Sequence, residues 1–523
     1  MSGMFEPKQD KANRKIERTK KEETAKKKSR MRAIIIISVL IVFSAAAITI
    51  NSGFIRRSAA VVTIDGVNFT TVEFEYFFNN EYMEYVNFMS QFQGMGAVPD
   101  TGRSLSNQIY DHNTGETWAD FIMSMALNRM SGLTALYNAA QASGFELTAE
   151  HKESIDEDLV MIEIQAMING FPNTNSLLQQ MFGTGMNVRS YRKIMEFVTT
   201  ANAYSEHIRE SFTYSSADLA EYYAEFKDDL DVFTYRQFTI YFDYPESDDF
   251  DDVDEFEAAL DEAMENSRIQ AAEIAAEITG EDDFIQAAYD YSDFYSDPDS
   301  TLRLAQGNRL DINTSDWLLD PARVNGDITI ADSEQGSIII FFVSRDDNNY
   351  RTVGMRQILI LRESIYPDDF PLGEDDPGYI AAFNAADDEA KQRAEQVLSL
   401  FTVAGSTEDA LIALMPDHSD DNTEGGFYSD ISKFPYQSSY IAAMKVVEEI
   451  EDWLFYENRQ IGDSELVRTE DFGYHLLYFT GPGDVFFELM AKDRMRTRDH
   501  TEWLENLETA QPIRRAAFIL VHI

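Results

Sequence analysis

From residue 71 to about residue 225 apolar side chains return every three or four positions, the rhythm of helices that bury one face. The segments "TWADFIMSMALNRMSGLTALYNAAQASGF", "TAEHKESIDEDLVMIEIQAMINGF", "NVRSYRKIMEFVTTANAYSEHIRESF" and "SSADLAEYYAEF" carry it, with Gly144, Gly170 and Gly185 as stops or turns. Ahead of them, "VVTIDGVNF" reads as a short alternating strand turning at Asp65 and Gly66. The spacing then predicts a helix capped at Thr71. Beyond about 226 the texture changes. "FTYRQFTIYF" and "GSIIIFFV" read as strands around acidic helices, and "TVGMRQILIL" and "GYHLLYFTG" read as strands around the helix "DEAKQRAEQVLSLFTVAG" and the loop "MPDHSDDNTEGGFYSD". A last amphipathic helix, "FFELMAKDRMRTRDHTEWLENLETA", needs a surface to cover, and the N-terminal helical region is the economical one.

The strand-bearing part is written twice. "DWLLDPARVNGDITI" at 316–330 and "DWLFYENRQIGDSEL" at 452–466 repeat Asp, Trp, Leu, Arg, Gly and Asp at an offset of 136 residues, with two of the four tryptophans of the chain. A period that long signals a duplicated domain rather than a solenoid, whose period is roughly 20 to 50 residues. Each copy reads strand, helix, loop, helix, strand, with first and last strands adjacent in a small mixed sheet. The repeated residues Asp316, Trp317 and Gly326, with Asp452, Trp453 and Gly462, are expected to be structural: a helix end, a buried aromatic and a tight turn.

Charge divides the chain differently. Residues 1–32 hold twelve Lys/Arg against five Asp/Glu, net +7, so the remainder carries −56 of the formal −49. Between the two lies "AIIIISVLIVFSAAAITI" at 33–50, an uncharged run near the lower length limit for crossing a bilayer of about 30 Å. A basic flank before one apolar run predicts a signal anchor with the N-terminus cytoplasmic and the bulk outside. The small residues of "FSAAAI" leave a cleaved signal peptide as the other reading. The basic tail sets topology and meets anionic lipid headgroups, with nucleic-acid binding as its alternative.

The rest is too acidic for a nucleic-acid partner. Without cysteine there are no disulfides and no thiolate zinc sites. The acidic runs "YPESDDFDDVDEF" and "YPDDFPLGEDDPGY" lack the spaced ligands and central glycine of an EF-hand and read as solvated loops, so neither a metal nor a cofactor is expected. The many Met, Phe and Tyr of the helical region read either as ordinary core or as an adaptable apolar groove for unfolded chains.

Taken in order, "VVTIDGVNFTTVEFEYFF", "ALYNAAQASGFELTAEH" and "SSADLAEYYAEFKDDLDVFTYRQF", followed by "MRQILI", "HSDDNTEGGFYSD" and "GYHLLYF", resemble the SurA and PrsA group of extracytoplasmic foldases over about 58 to 510, and the anchor resembles PpiD-like members. The resemblance implies an α+β multidomain chain. Its parts are a basic cytoplasmic tail (1–32), a transmembrane signal anchor (33–50), an all-α SurA-like chaperone domain (58–225), a degenerate parvulin-like domain (226–346), a second parvulin-like domain (347–483), and a C-terminal helix and tail (484–523) packing back on the chaperone domain. It also implies peptidyl-prolyl isomerase chemistry in the second repeat, on unfolded or Pro-containing secreted polypeptides. The group's pocket floor of two histidines and an Asp or Cys falls here on Gln357, Asp421 and His475, with a glutamine where the first histidine is expected. Tyr428, Ile450 and Phe455 are the expected apolar walls. Structural readings stand beside these: His475 as a core histidine, Asp421 as a turn cap. In the first repeat Gln237 and Ile338 take the histidine positions and no Gly-Gly loop is present, which implies a copy kept for shape or binding. The alternative for the whole chain is a non-catalytic holdase or envelope scaffold.

Overall fold

The computed structural model describes residues 53–91, 98–242, 244–245, 250, 252–291, 294–295, 297–437, 442–508 and 513–515. The basic tail 1–32 and the apolar run 33–50 lie outside them. No helix among the described residues is long and apolar enough to cross a membrane. Contacts divide the chain into two units, one running to Phe212 and resuming at Asp499, the other Thr213–Arg498.

After a short helix, Phe54–Ser58, the first unit has the strands Ala60–Ile64 and Val67–Thr70, joined by Asp65 and Gly66 at φ 40° and 82°. Two consecutive positive φ values make the two-residue turn whose twist matches a hairpin. Asn138 holds this turn by donating to the Asp65 carbonyl and carboxylate at 3.1 and 2.8 Å. The following helix, Thr71–Gln91, is capped one residue earlier than expected. Thr70 Oγ1 accepts from the Glu73 N–H while Glu73 Oε2 accepts from the Thr70 N–H at 2.7 Å, so Thr71 is already helical. Trp118–Ser143, Ala149–Ile168, Thr174–Phe182 and Val188–Ser211 follow, each started by a side-chain cap from Thr117, Thr148, Asn173 or Asn187. Phe74, Phe77, Ile122, Leu127, Leu178 and Ile194 form a core shared by four of these helices, with Ile162 of Ala149–Ile168 packed against it.

The all-α expectation for this region is corrected. Ile513–Arg515 adds a third, antiparallel strand beside Ala60–Ile64, and Ile109–Asp111 pairs with Glu116–Thr117. Ile-Arg-Arg has no strand pattern of its own; its pairing with Val62 through Ile64 makes it one. His500 and Trp503 also lie in this unit, against Ser205 and Tyr204. By contrast Ser216–Glu225, read as the last of the chaperone helices, packs in the second unit. There Leu219 and Tyr223 meet Leu230, Phe486 and Met490.

The second unit holds two four-stranded sheets of one design. The first orders its strands Leu302–Gln306, Val232–Tyr241, Gly336–Asp346, Ile328–Ser333; the second, Phe427–Ile431, Arg351–Leu361, Gly473–Val485, Ser464–Thr469. In both, the opening strand lies beside the closing strand as expected. Every pairing is antiparallel, however, which corrects the mixed sheet. The "GDITI" and "GDSEL" segments supply the difference, each forming a hairpin with its closing strand.

This hairpin explains why one phrase occurs twice. Trp317 lies under the Arg323 guanidinium at 5.0 Å, and Trp453 under Arg459 at 3.9 Å. Those arginines approach Asp327 and Asp463, whose carboxylates accept from the Val324 and Gln460 N–H groups. Gly326 and Gly462 both sit at φ 94° and donate to the closing strand at Phe342 and Phe479. Trp stacks on Arg, Arg faces Asp, Asp holds the turn, and Gly permits it.

A second shared device lies at the opening strands. Arg236 donates to Glu281 at the start of a helix and to the Pro298 carbonyl; Arg356 does the same to Glu408 and the Gly425 carbonyl. The longer helices pack on one face of each sheet, Ala271, Phe284 and Ala288 on Phe238 and Phe341, and Ala394, Phe401 and Leu411 on Ile358 and Leu476, while Leu318 and Ile450 bring a short helix to the other face of each.

Candidate functional site

Along Arg351–Leu361 the residues Val353, Met355, Gln357 and Leu359 alternate to the face opposite Ala394, Phe401 and Leu411, where the short helix Glu448–Leu454 covers Val353 and Met355. His475 lies on that face too, on the neighbouring strand, in register with Leu359 and diagonal to Gln357. The loop after the helix Glu408–His418 runs alongside as a near-strand. Asp420 N–H donates to the Leu359 carbonyl at 2.8 Å, Leu359 N–H to Ser419 Oγ at 3.2 Å, and Leu361 N–H to the Asp420 carboxylate at 2.9 Å. That stitching carries Asp421 to the Gln357 side chain.

The expected polar trio is brought together. Gln357 Nε2 donates to Asp421 Oδ2 at 2.8 Å, and Gln357 Oε1 lies 2.9 Å from His475 Nδ1. Tyr428 Oη donates to the same Asp421 oxygen at 2.7 Å and meets Thr423 Oγ1 at 2.8 Å. Behind the histidine, Nε2 lies 3.0 Å from Thr469 Oγ1. His475 is 4% exposed, Gln357 8% and Thr469 1%.

Electrostatics order this chain. Burial favours the neutral form of Asp421, but hydrogen bonds from Thr423 N–H, Tyr428, Gln357 and Thr423 Oγ1 outweigh it and hold the carboxyl below its usual range. An ionised Asp421 accepts only, so the Gln357 amide must turn its nitrogen to it and its oxygen to His475. Burial pushes His475 from 6.5 down to about 4, against the weaker pull of Glu449 and Asp421, so the ring is neutral near pH 7. Facing an amide oxygen, Nδ1 carries the proton, and Nε2 accepts from the Thr469 hydroxyl. The polarity runs one way, from Thr469 through His475 and Gln357 to the charge on Asp421.

The Gly-Gly pair has a definite task. Gly425 and Gly426 lie at φ 59° and 55°, and a Cβ on Gly426 would come within 2.3 Å of the Gln357 carbonyl oxygen. The loop therefore presses directly on the strand that bears the site.

The apolar walls fare differently. Tyr428 is half-buried at the rim, and burial together with Asp421 raises its pKa. Ile450, expected as a wall, is 3% exposed and belongs to the core with Met355, Trp453, Leu477 and Phe479, so it offers no open surface. Phe455 is half-buried, edge-on to Tyr350 with the Lys433 ammonium 5.5 Å above its ring. Thr469 and Thr423 were not singled out in the sequence. A Thr four residues before the Gly-x-His of a hairpin was the only signal for Thr469.

In the first repeat Ile338 stands opposite Thr239 as His475 stands opposite Leu359. An isoleucine there gives the face no nitrogen, and Phe233, Tyr235, Ile340 and Phe342 make it apolar. A separate cavity of about 890 Å³ lies in the first unit, between Phe69, Phe77, Tyr137, Phe145 and Phe197, with Lys193 paired to Glu73 and Arg192 to Asp156 at its edge.

No family model matches the chain, and no curated protein does. Among solved structures, PrsA from Bacillus subtilis is similar at 12% identity over 55% of this chain and 92% of its own, with a TM-score of 0.15. A Campylobacter jejuni protein, described with the virulence factor PEB4 among structurally related SurA-like chaperones, is similar at 13% identity over 55% and 83%, with a TM-score of 0.17. The fold and site rest on this chain's own strands, turns and hydrogen bonds.

Proposed function

We propose that this chain is a membrane-anchored, extracytoplasmic folding factor whose second repeat is a parvulin-type peptidyl-prolyl isomerase acting on secreted or envelope polypeptides. The observation that supports it is the ordered chain Thr469–His475–Gln357–Asp421 on one face of the sheet. Rotation about a peptide bond faces a barrier of roughly 18 to 20 kcal/mol, and no covalent bond is made or broken in crossing it. Catalysis then needs donors and acceptors that fit the twisted amide better than the planar one. Tyr428, half-exposed and held by Asp421, is the group of this network that meets an incoming peptide. Gln357 and His475 form the floor that fixes its polarity.

The test is the cis-to-trans rate of a short Pro peptide with the full chain, beside His475→Ala. Acceleration that drops by about tenfold or more in the variant supports the reading, an effect of roughly 1.4 kcal/mol on the barrier. A folded chain without acceleration leaves a holdase with parvulin folds used for grip, a reading favoured by the aromatic-walled cavity of the first unit.

A further inference from the structure

The helix Ala149–Ile168 has a buried apolar face and, opposite it, a face that is acidic in its first half and apolar in its second. Ile155, Leu159, Ile162 and Ala166, at spacings of four, three and four, turn inward. Half a turn away runs a second ladder, Glu150, Glu153, Glu157, Met161, Ile164 and Ile168, flanked by Val160 and Met167. Its apolar members are exposed, from 38% at Ile164 to 78% at Ile168, with Met161 and Met167 at 62% and 66%. A soluble face of this kind is ordinarily polar, and a contiguous exposed apolar stripe marks an interaction surface. Its first turns are all acidic and its last turns all apolar, so the face has a direction.

We infer that this face is a docking site for client segments in which Lys or Arg residues lie beside a short apolar run. The inference deepens the folding-factor reading and rests on it. From 150 to 168 the helix rises about 27 Å, which roughly eight residues of extended client would span. The three glutamates meet the basic end, and the Met and Ile side chains, adaptable in shape, meet the apolar end. The surplus of negative charge beyond residue 32 draws basic chains toward it. A second copy would bring three glutamates and the same net charge of its own, and an anionic lipid surface would meet the glutamates with like charge, so neither is the favoured occupant.

Two peptides share an apolar decamer, one preceded by three Lys and the other by three Glu. Their affinities for the full-length chain, held with phosphatidylcholine nanodiscs, are read by fluorescence anisotropy. The Lys peptide should bind about tenfold tighter, and Met161→Asp with Met167→Asp should weaken it by about tenfold at unchanged melting temperature. Glu150→Gln with Glu153→Gln and Glu157→Gln should bring the two peptides to within about threefold. Equal affinity of the two peptides, or binding untouched by the Met substitutions, overturns the inference. So does a Met variant whose only change is lost self-association in sedimentation, which makes the face a contact between copies. A chain that binds neither peptide yet accelerates the Pro peptide overturns the inference alone, and one that does neither sinks the folding-factor reading with it.

Discussion

The two repeats of the second unit have the same strand order, the same Trp-Arg-Asp-Gly turn and the same arginine anchor, yet among the described residues only the second carries the Thr-His-Gln-Asp chain of hydrogen bonds on the sheet face opposite its long helices. What they share is scaffold; where they differ is chemistry. At the histidine register position one has Ile338 and the other His475, although both have a glutamine on the opening strand, Gln237 and Gln357. A glutamine alone therefore marks nothing. It becomes part of a site where an ionised Asp421 fixes one end of its amide and a neutral His475 reads the other.

The sharpest way to break that contrast is Gly426→Ala. The first repeat has no Gly-Gly pair in its sequence. In the second, a new methyl at positive φ would sit against the Gln357 carbonyl, with Met415 also in its way. Backbone strain of about 1 to 3 kcal/mol and overpacking of similar size add, for a loss of about 4 kcal/mol. Hydrogen exchange should show Arg351–Leu361 opening early while Val232–Tyr241 keeps its protection. Equal loosening of both sheets would mean that the repeats do not differ in this support.

Acid should separate them next. His475 titrates near 4 in the folded chain and near 6.5 when unfolded, so above 6.5 the group is neutral in both states and contributes nothing. As pH falls from 6.5 toward 4 the unfolded chain takes up the proton first, and the second repeat loses stability. The full loss is about 3 kcal/mol, most of it present at pH 5. Asp421, whose carboxyl is held low, adds its own loss only in stronger acid. Protection of Gly473–Val485 should fall between pH 7 and pH 5 while Gly336–Asp346, with Ile338, does not respond through this group. In His475→Gln the response should vanish.

How far the sequence revealed this contrast depended on what kind of signal each residue carried. Continuous strands and the duplication were legible, because hydrophobic runs and fixed offsets survive in one dimension; the trio Gln357, Asp421 and His475 was expected only through the resemblance carried by "MRQILI", "HSDDNTEGGFYSD" and "GYHLLYF". Thr469 was not, since its contact with His475 exists only once the hairpin has set its register. Ile450 was misread for the complementary reason: an apolar residue near a site looks alike in sequence whether it lines the opening or fills the core behind it. The third strand of the first unit was hidden in Ile-Arg-Arg, whose conformation is imposed by Val62 and its neighbours. Packing and pairing partners far along the chain decided each of these.

The finest comparison concerns the shared turn itself. Arg323 and Arg459 hold corresponding places, but Arg459 is closer to its tryptophan, 3.9 against 5.0 Å, and donates from Nε to the Trp453 carbonyl at 2.9 Å. Arg323 instead spends its outer nitrogens on Asp320 at 2.8 Å and Asp327 at 3.4 Å. A lysine keeps the charge and loses the planar stack, a contact worth about 0.5 to 2 kcal/mol. Arg459→Lys should therefore cost about 1 kcal/mol, and Arg323→Lys less than half of that, because its ion pairs are ones an ammonium can partly keep. Urea unfolding followed by exchange in Ser464–Thr469 and Ile328–Ser333 reads the two separately. Equal costs would show that the ion pair to the turn aspartate, common to both copies, outweighs the stack, and that the duplicated tryptophan is held by charge rather than by its face.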